Sequence, residues 1–216
     1  MSDPWAFGWT QILTICGLAI SALFAFRGLR TFDKWRQEQI EQRKIEVALE
    51  ALAMAYEAKY VFEQIRSRLS TSVEWQDMPQ IAGENDSERL RRGSYYAIFK
   101  RMQRHSDFFD RTWKLQPKFM AVFGVDSEKT FGLLHKARSS IEVACETLMW
   151  EFKEQPSRED KENRDFWLQM RTDIWASPGP RAERDQVGRD LDSFVEKIEV
   201  LCRPVIKQGY KAPKAP

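Results

Sequence analysis

Histidine is scarce in this sequence, since only His105 and His135 occur among 216 residues. A di-metal carboxylate bundle needs Glu-x-x-His pairs, but Met102 and Gly132 stand three residues before the two histidines. There is also no His-x-x-x-His pair and no His-Glu-x-x-His motif. We therefore predict no metal site, and we expect both histidines to lie at the edges of apolar helix faces.

The motifs that bind nucleotides or carry a nucleophile are absent as well. The chain contains no Gly-x-x-x-x-Gly-Lys loop, no Gly-x-Gly-x-x-Gly turn and no Gly-x-Ser-x-Gly elbow. We accordingly predict no cofactor and no catalytic residue, and the sequence does not favour an enzyme. A site built from Asp, Glu, Arg and Tyr alone remains an open alternative.

Cysteine is limited to Cys16, Cys145 and Cys202. No two of them have the spacing of a metal-binding pair, and three cysteines argue against a disulfide framework. Cys16 lies in an apolar run, and the other two lie on apolar helix faces. We predict reduced, buried thiols, which suit a cytoplasmic body.

Overall charge is also small, with a net value of +2, although charged residues make up 31% of the chain. This balance excludes a general polyelectrolyte and does not favour nucleic acid as a partner. Glycine and proline number only 10 and 9. Such a composition is typical of long, solvated helices.

The most informative feature that is present is a run of 22 uncharged residues, 5–26. A helix of this length spans about 33 Å, close to the ~30 Å hydrocarbon core of a bilayer. Trp5 and Trp9 lie at one end, and Phe24 and Phe26 at the other, as in an interfacial aromatic belt. We predict a transmembrane helix over residues 5–26, preceded by a short extracytoplasmic N-terminus, residues 1–4.

The distribution of basic residues predicts the orientation of this helix. Residues 1–4 contain Asp3 and no Lys or Arg, whereas six basic residues follow within residues 27–44, namely Arg27, Arg30, Lys34, Arg36, Arg43 and Lys44. The positive-inside rule places the N-terminus outside and the rest of the chain in the cytoplasm. Residues 27–44 are predicted to form a charged helical stalk.

Two other interpretations of residues 5–26 remain open. A cleaved secretory signal normally has a basic start and a shorter apolar core, whereas this segment has an acidic start and a long core. A buried helix of a soluble protein is the other alternative, because Thr10, Gln11 and Thr14 make the first half only moderately apolar.

Small residues recur at every fourth position within the predicted span, at Gly17, Ser21 and Ala25. This spacing lets two transmembrane helices approach closely. Self-association through this face is therefore one hypothesis, although small residues are common in such helices.

Beyond the stalk, the periodicity is helical throughout, with no alternation of period two. We predict an all-α fold, in which one N-terminal transmembrane helix precedes an antiparallel bundle of about four long helices plus one short helix, over residues 45–208. The helices are expected to end or begin near residues 69, 88, 122, 126, 154, 161, 175, 182 and 202. Pro117 is expected to bend the helix at 88–122, Pro204 to stop or bend the last helix, and residues 209–216 to form a disordered tail.

Apolar stripes indicate which helix faces the bundle covers. The first helix carries two adjacent stripes. One contains Ile45, Leu49, Leu52 and Tyr56 and continues with Phe62, Ile65 and Leu69, and the other contains Val47, Ala51, Met54, Ala58 and Val61. This wide face predicts more than one packing partner. The helix after residue 126 carries a stripe close to a heptad seam, as in a coiled coil, with Phe131, Leu134, Ile141, Cys145, Leu148 and Phe152. The last helix is expected to face inward with Val187, Leu191, Phe194, Val195, Ile198, Leu201 and Cys202.

Basic residues dominate residues 88–118, where nine Lys or Arg stand against three acidic residues. Five of them are predicted to share one helical face, Arg89, Arg92, Lys100, Arg104 and Arg111. Such a face can contact anionic lipid headgroups, at roughly 1 kcal/mol for each basic residue near the surface. The alternative is a solvated face balanced by acidic neighbours such as Glu142, Glu146 or Asp190.

Two stretches carry a family resemblance, residues 43–52 (RKIEVALEAL) and residues 198–203 (IEVLCR) followed by Pro204. With the leading apolar run, the chain resembles a group of small bacterial membrane proteins of uncharacterised function, which have one N-terminal span and a helical cytoplasmic body. The resemblance implies an inner-membrane location and this architecture, and it implies no activity.

These patterns favour a non-enzymatic single-span membrane protein. The lipid bilayer is one predicted partner, and the helical body is expected to form a homo-oligomer or to bind an unidentified membrane or cytoplasmic protein. The alternative is a membrane-tethered module that binds an anionic ligand or lipid headgroup through residues 88–118.

Overall fold

The computed structural model describes residues 8–150, 161–176 and 183–209. Across these ranges the backbone forms six α-helices and no β-strand, so the all-α prediction is confirmed for the described part. The helices are α1 (Trp9–Ile65), α2 (Asp86–Arg104), α3 (Ser106–Phe123), α4 (Glu128–Trp150), α5 (Lys161–Ile174) and α6 (Gln186–Gly209). Two 3-10 turns, Ser72–Trp75 and Val125–Ser127, lie in the connections before α2 and α4.

Backbone contacts divide the chain into two compact units, Met1–Ile45 and Glu46–Pro216. In the first unit, the described structure is the N-terminal part of α1, and side chains 11–44 are exposed throughout. This part contains an 18-residue stretch with a mean hydropathy of 2.0, none of which is buried. On length and composition, α1 could therefore cross a membrane.

The second unit has an aromatic core to which most of its helices contribute. Phe131 on α4 is completely buried, and its ring lies 5.4 Å from that of Phe119 on α3 and 5.8 Å from that of Phe194 on α6. Both pairs meet edge to face, the arrangement that the ring quadrupoles favour. Helix α4 thereby occupies a central position and packs against α2, α5 and α6.

The predicted inward faces of the last long helices are confirmed over the described residues. On α4, the five stripe residues up to Leu148 are all buried, while Phe152 lies outside the described residues. On α6, the buried apolar positions are Val187, Leu191, Phe194, Val195, Ile198 and Cys202, while Leu201 is half-buried and packs against the core. Helical periodicity is a sufficient guide here because each helix has a single apolar stripe.

Of the two stripes on α1, the body covers the second, and it covers the first only in part, at Leu52, Phe62 and Ile65. Ala51 and Ala58 are completely buried, whereas Leu49 is 42% exposed and Tyr56 is 45% exposed. The prediction that the first stripe is buried is therefore wrong at Leu49 and Tyr56. Since small residues dominate the second stripe, neighbouring helices can approach α1 closely on that side.

The single long helix predicted for residues 88–122 is two helices, with the break at His105 and not at Pro117. His105 adopts φ −96° and ψ 17°, outside the helical range, and Pro117 lies inside α3. In one straight helix, Phe108 and Met102 would point about 120° apart around the axis, because successive residues turn by about 100°. The break lets Met102 and Phe108 both enter the core, where they are 6% and 2% exposed.

Helix ends also differ from the prediction. Helix α1 ends at Ile65, and Leu69 is 86% exposed. Helix α6 continues through Pro204 to Gly209, so the predicted stop near residue 202 is wrong. Pro204 is exposed, and water can therefore solvate the carbonyl that the proline leaves without a donor.

Several predicted features lie outside the described residues. These are the extracytoplasmic residues 1–4 with the first three residues of the predicted span, the end of the helix predicted to stop near residue 154, and residues 210–216 of the predicted tail, whose first residue, Gly209, ends α6.

Candidate functional site

The basic face predicted at residues 88–118 is divided between two helices. Arg89, Arg92, Lys100 and Arg104 lie on α2, and Arg111 lies on α3. Helix α2 begins with a capping box in which Asn85 Oδ1 accepts from the Glu88 amide at 2.9 Å and Glu88 Oε2 accepts from the Asn85 amide at 3.0 Å. This cap fixes where the connection from α1 joins α2.

Arg92 is a buried side chain, only 6% exposed, and it forms a two-pronged ion pair with Glu84. Arg92 Nε lies 2.6 Å from Glu84 Oε1, and Nη2 lies 2.7 Å from Oε2. Nη2 also donates to the Pro79 carbonyl at 2.7 Å. The hydrogen bonds from Arg92 hold the pKa of Glu84 below its usual value. Arg92 therefore anchors the chain segment that precedes α2.

Arg101 makes the same kind of contact two turns later and was not among the predicted site residues. Its Nε donates to Glu74 Oε1 at 2.8 Å and its Nη2 to Oε2 at 2.7 Å. The guanidinium also donates to the carbonyls of Ser67, at 2.7 Å, and Leu69. Hydrogen bonding from Arg101 lowers the pKa of Glu74. Arg101 and Glu74 thus form a bidentate ion pair, in which each carboxylate oxygen accepts a hydrogen bond from the guanidinium group.

The remaining predicted cations also have carboxylate neighbours. Lys100 Nζ lies 2.6 Å from Asp77 Oδ2, and the hydrogen bond raises the pKa of Lys100 and lowers the pKa of Asp77. Arg104 Nη1 lies 3.7 Å from Glu74 Oε1 and its side chain is 63% exposed.

Arg111 and Arg89 complete the predicted set. Arg111, which is 56% exposed, forms an ion pair with Glu57 on α1, with Nη1 and Oε2 3.1 Å apart. This hydrogen bond raises the pKa of Arg111. Arg89 is half-buried and lies close enough to Glu84 to contribute to its lowered pKa. The five predicted residues therefore line a surface that the chain's own acidic residues already contact.

An acidic segment between α1 and α2 supplies most of these partners. Residues 70–87 contain four carboxylates and no Lys or Arg. A non-ionic contact holds the same segment, because the Trp75 ring lies against α2 at Gly93, where an added Cβ would be 2.6 Å from Trp75 Cδ2. The sequence carries a signal for these ion pairs, because a segment with only acidic charges precedes a basic helix. The acidic neighbours predicted for the basic face, Glu142, Glu146 and Asp190, lie instead on α4 and α6.

Two surface hollows adjoin the Glu74–Arg104 contact. The first, of about 460 Å³, is lined by Gln64, Ser67, Glu74, Arg101, Arg104 and His105. The second, of about 440 Å³, is lined by Val73, Glu74, Gln76, Asp77, Lys100, Gln103 and Arg104. Their shared wall consists of Glu74 and Arg104, so a bound anion would meet the arginine on either side.

The predicted self-association residues lie in the first unit. Gly17, Ser21 and Ala25 are all exposed on α1. A Cβ added at Gly17 would meet nothing within 4 Å. Nothing in the described structure covers this face, which is the arrangement that a helix–helix contact in a membrane would use.

The histidines have different surroundings. His135 is stacked on Trp113 with ring centroids 4.0 Å apart, and one ring nitrogen lies 2.8 Å from Gln116 Oε1. Burial lowers the pKa of His135, and nearby Arg138 adds to this effect. His105 lies at the junction of α2 and α3. Within the described ranges, no group of three or more His, Cys, Asp or Glu residues is arranged to hold a metal ion.

Comparison of the chain with protein-family models, with curated proteins and with solved structures found no match. The family resemblance drawn from the sequence therefore stays a prediction.

Proposed function

We propose that this protein is a non-enzymatic, single-span inner-membrane protein whose cytoplasmic helical body mediates protein–protein interaction or oligomerisation. The observation that carries the proposal is the pair of unburied apolar faces on α1, one in each unit. In the first unit the 18-residue apolar stretch has no buried residue. In the second unit, Leu49, Tyr56 and Tyr60 are 42%, 45% and 61% exposed. Apolar faces of this kind are commonly covered by lipid or by another protein.

The membrane topology in this proposal has the N-terminus outside and residues 27–44 as a stalk on the cytoplasmic side. It is supported by the positive-inside rule, because all six Lys and Arg residues near the apolar stretch follow it. Anchoring would confine the body to the membrane surface and so raise its effective concentration toward other membrane-bound partners.

For residues 45–208, we propose an antiparallel bundle of about four long helices plus one short helix. Ion pairs support opposite directions for α1 and α3, because Glu50 lies near Lys118 while Glu57 lies near Arg111. A similar order supports opposite directions for α1 and α6, because Lys59 pairs with Asp192 and Tyr56 bonds with Glu199. The four-residue connection between α3 and α4, residues 124–127, favours opposite directions for that pair as well.

Light scattering of the full-length protein in detergent tests the interaction hypothesis. We expect an oligomer, and we compare a body variant, Leu49→Gln with Tyr60→Gln, with a span variant, Gly17→Leu with Ser21→Leu. The control is Val143→Gln, which changes a residue that is 52% exposed on a different helix, α4. Loss of the oligomer in the body variant alone assigns assembly to the body, and loss in the span variant alone assigns it to the span.

A monomer in every case would contradict self-association. The body would then have to act through a different partner, and capture from native membranes with the Leu49 and Tyr60 variant as the negative control would test that form of the proposal.

A second proposal is binding of an anionic ligand or lipid headgroup through α2 and α3. It is favoured by the two exposed guanidinium groups, Arg104 at 63% and Arg111 at 56%, and by the carboxylate already held at Arg101. The test is flotation of phosphatidylglycerol vesicles with the full chain in phosphatidylcholine nanodiscs. Unchanged binding in Arg104→Glu with Arg111→Glu would exclude this surface. Arg92 is left in place because it is buried against Glu84.

A further inference from the structure

The carboxylate of Glu74 is held as an external anion would be held. Its oxygens accept from Arg101 Nε and Nη2 at 2.8 and 2.7 Å. The Thr71 amide donates to Oε2 at 3.2 Å, and Arg104 Nη1 lies 3.7 Å from Oε1. The Thr71 amide belongs to the capping box of the turn that contains Glu74, whereas both guanidinium groups lie on α2. Two converging guanidinium groups, one of them a fork, are typical donors of a phosphate site.

We propose that residues 70–78 form an acidic strap that masks an anion-binding surface on α2, composed of Lys100, Arg101 and Arg104. Glu74 and Asp77 of the strap occupy the positions of the external anion. This inference rests on the second function proposed above and goes beyond it by naming what controls access to the site. The ligand class is a phosphate-bearing anion, either a lipid headgroup or a soluble polyphosphate.

The strap has defined ends. On one side, Arg101 binds the carbonyls of Ser67 and Leu69. On the other side, Arg92 binds the Pro79 carbonyl and Glu84. These contacts fix the chain just outside residues 70–78, so that the strap can lift while α1 and α2 keep their positions.

Few contacts hold the strap itself. Met78 is its only buried side chain, at 3% exposure, whereas Val73 is 67% exposed. The main non-ionic anchor is Trp75 against Gly93. Segments with few buried apolar contacts open at a small fraction of the free energy of global unfolding. The Lys100–Asp77 pair, 30% and 52% exposed, adds little because water and salt screen it. The Glu74–Arg101 pair, 14% and 10% exposed, is therefore the main ionic contact of the strap, and it is the contact that an external anion would replace.

Lifting the strap would leave the three cations in a compact group. Positions 100 and 104, and positions 101 and 104, are four and three apart, so their side chains are neighbours on the helix surface. The two hollows that share Arg104 would merge when Glu74 leaves, since Glu74 is the other part of their common wall. A single negative charge would satisfy this group poorly, and a phosphate with several oxygens would satisfy it better.

Two variants release the strap in different ways. Glu74→Gln with Asp77→Asn removes both negative charges and keeps the side chains in shape. Gly93→Ala keeps every charge and displaces Trp75, because the new Cβ would lie 2.6 Å from Trp75 Cδ2. The matched control is Gly132→Ala, a helical glycine with nothing within 4 Å of the added Cβ.

The full chain is studied in phosphatidylcholine nanodiscs with two readouts. Hydrogen exchange of residues 70–78 measures strap release, and we expect it to accelerate by about tenfold or more in both strap variants and not in Gly132→Ala. Binding is measured with phosphatidylglycerol vesicles and, separately, with inorganic pyrophosphate. We expect the Gln/Asn variant to bind at least one probe about tenfold more tightly than the unaltered chain, and the probe that binds identifies the source of the phosphate.

Each other outcome overturns a different part of the inference. Faster exchange without binding to either probe in both strap variants rejects the anion-binding surface and with it the second proposed function. If the unaltered chain and the strap variants bind a probe equally well, while residues 70–78 of the unaltered chain still exchange slowly, the strap does not mask the surface. That outcome rejects masking and leaves the second proposed function, anion binding, in place. Unchanged exchange in both strap variants rejects a strap that moves independently. If the Gln/Asn variant does not fold, Gly93→Ala decides through the same two readouts.

Discussion

Arg66 and Asp185 form a buried, two-pronged ion pair that joins three helices. Arg66 Nη2 lies 2.7 Å from Asp185 Oδ1, and Nη1 lies 3.2 Å from Oδ2. Arg66 follows the last residue of α1 and also donates to the carbonyls of Thr172 and Asp173, at 2.8 and 3.0 Å, in the last turn of α5. Asp185 precedes α6 and accepts from the Gly188 amide at 2.8 Å. Arg66 therefore donates to two of the last carbonyl groups of α5, which have no partner within that helix, and also binds the residue that caps the start of α6.

Removing this arginine is expected to destabilise the body strongly. Arg66 is 4% exposed, and Arg66→Ala would leave the Asp185 carboxylate and two helix carbonyls without their main donor. Breaking a buried ion pair from one side typically costs about 3–5 kcal/mol. The measurement is the free energy of unfolding in urea, followed by circular dichroism on the full chain in detergent.

The matched control for Arg66 is Arg184→Ala. Arg184 pairs with Asp165 at 3.2 Å, but the two side chains are 49% and 51% exposed. A pair of this kind contributes about 0–1 kcal/mol. Equal losses in the two variants would contradict the central role of the Arg66–Asp185 contact.

The buried helix faces could be predicted from the sequence, whereas the partners of the buried arginines could not. Helix faces on α4 and α6 were predictable, because each helix has one apolar stripe and burial follows its period. The partners of Arg66 were not, because Asp185 is 119 residues away and only the packed helices bring them together. The same reason explains why Arg101 was missed, since Glu74 lies in a connection with no periodic pattern.

The two apolar stripes on α1 mark another limit of sequence reasoning. Both have helical spacing, so periodicity cannot choose between Leu49 on one and Ala51 on the other. The choice depends on how closely neighbouring helices approach, and this favours the side with alanines. The break at His105 also depends on tertiary packing, because it carries no Gly or Pro signal.

The ion pairs of Glu74 and Glu84 predict a loss of stability in acid. Hydrogen bonds from Arg101 and Arg92 lower the pKa of these carboxyls below their ordinary value of 4.5. A lowered folded-state pKa gives a contribution that is fully present above the unfolded pKa and is lost as pH falls through the folded value. We therefore expect the urea midpoint to fall progressively once the pH is below about 4.5.

Glu84→Gln isolates this contribution. Asp173 has the opposite effect on the pH dependence, because burial raises its pKa, so the unaltered protein alone cannot separate the two. The variant should be less stable near neutral pH, since Arg92 would then lie buried without a carboxylate, and it should approach the unaltered protein in acid. A constant difference between the two proteins across the whole pH range would contradict the assignment to Glu84.

The buried thiols are expected to be unreactive in the folded protein. Cys145 and Cys202 are both 0% exposed, and burial raises the pKa of each to about 12. Because the thiolate is the reactive form, neither should react with a thiol reagent near pH ~8. The measurement uses Cys16→Ser, which removes the exposed cysteine. We expect no labelling when folded and two labelled thiols in urea, and labelling of a folded thiol would indicate that α4 or α6 opens locally.

Charge near the apolar stretch is expected to determine the membrane orientation. With a C-terminal green fluorescent protein, a cytoplasmic body gives fluorescence, whereas a C-terminal alkaline phosphatase should be inactive. Replacing Arg27, Arg30, Lys34 and Arg36 by Gln removes most of the positive charge next to the span, so a mixed or inverted orientation should follow, with phosphatase activity appearing. Gln at Lys197 and Lys207 is the control, because these lysines lie far along the chain and should not affect orientation. Active phosphatase on the unaltered protein would contradict the proposed topology, and neither reporter signal in the membrane fraction would contradict the span itself.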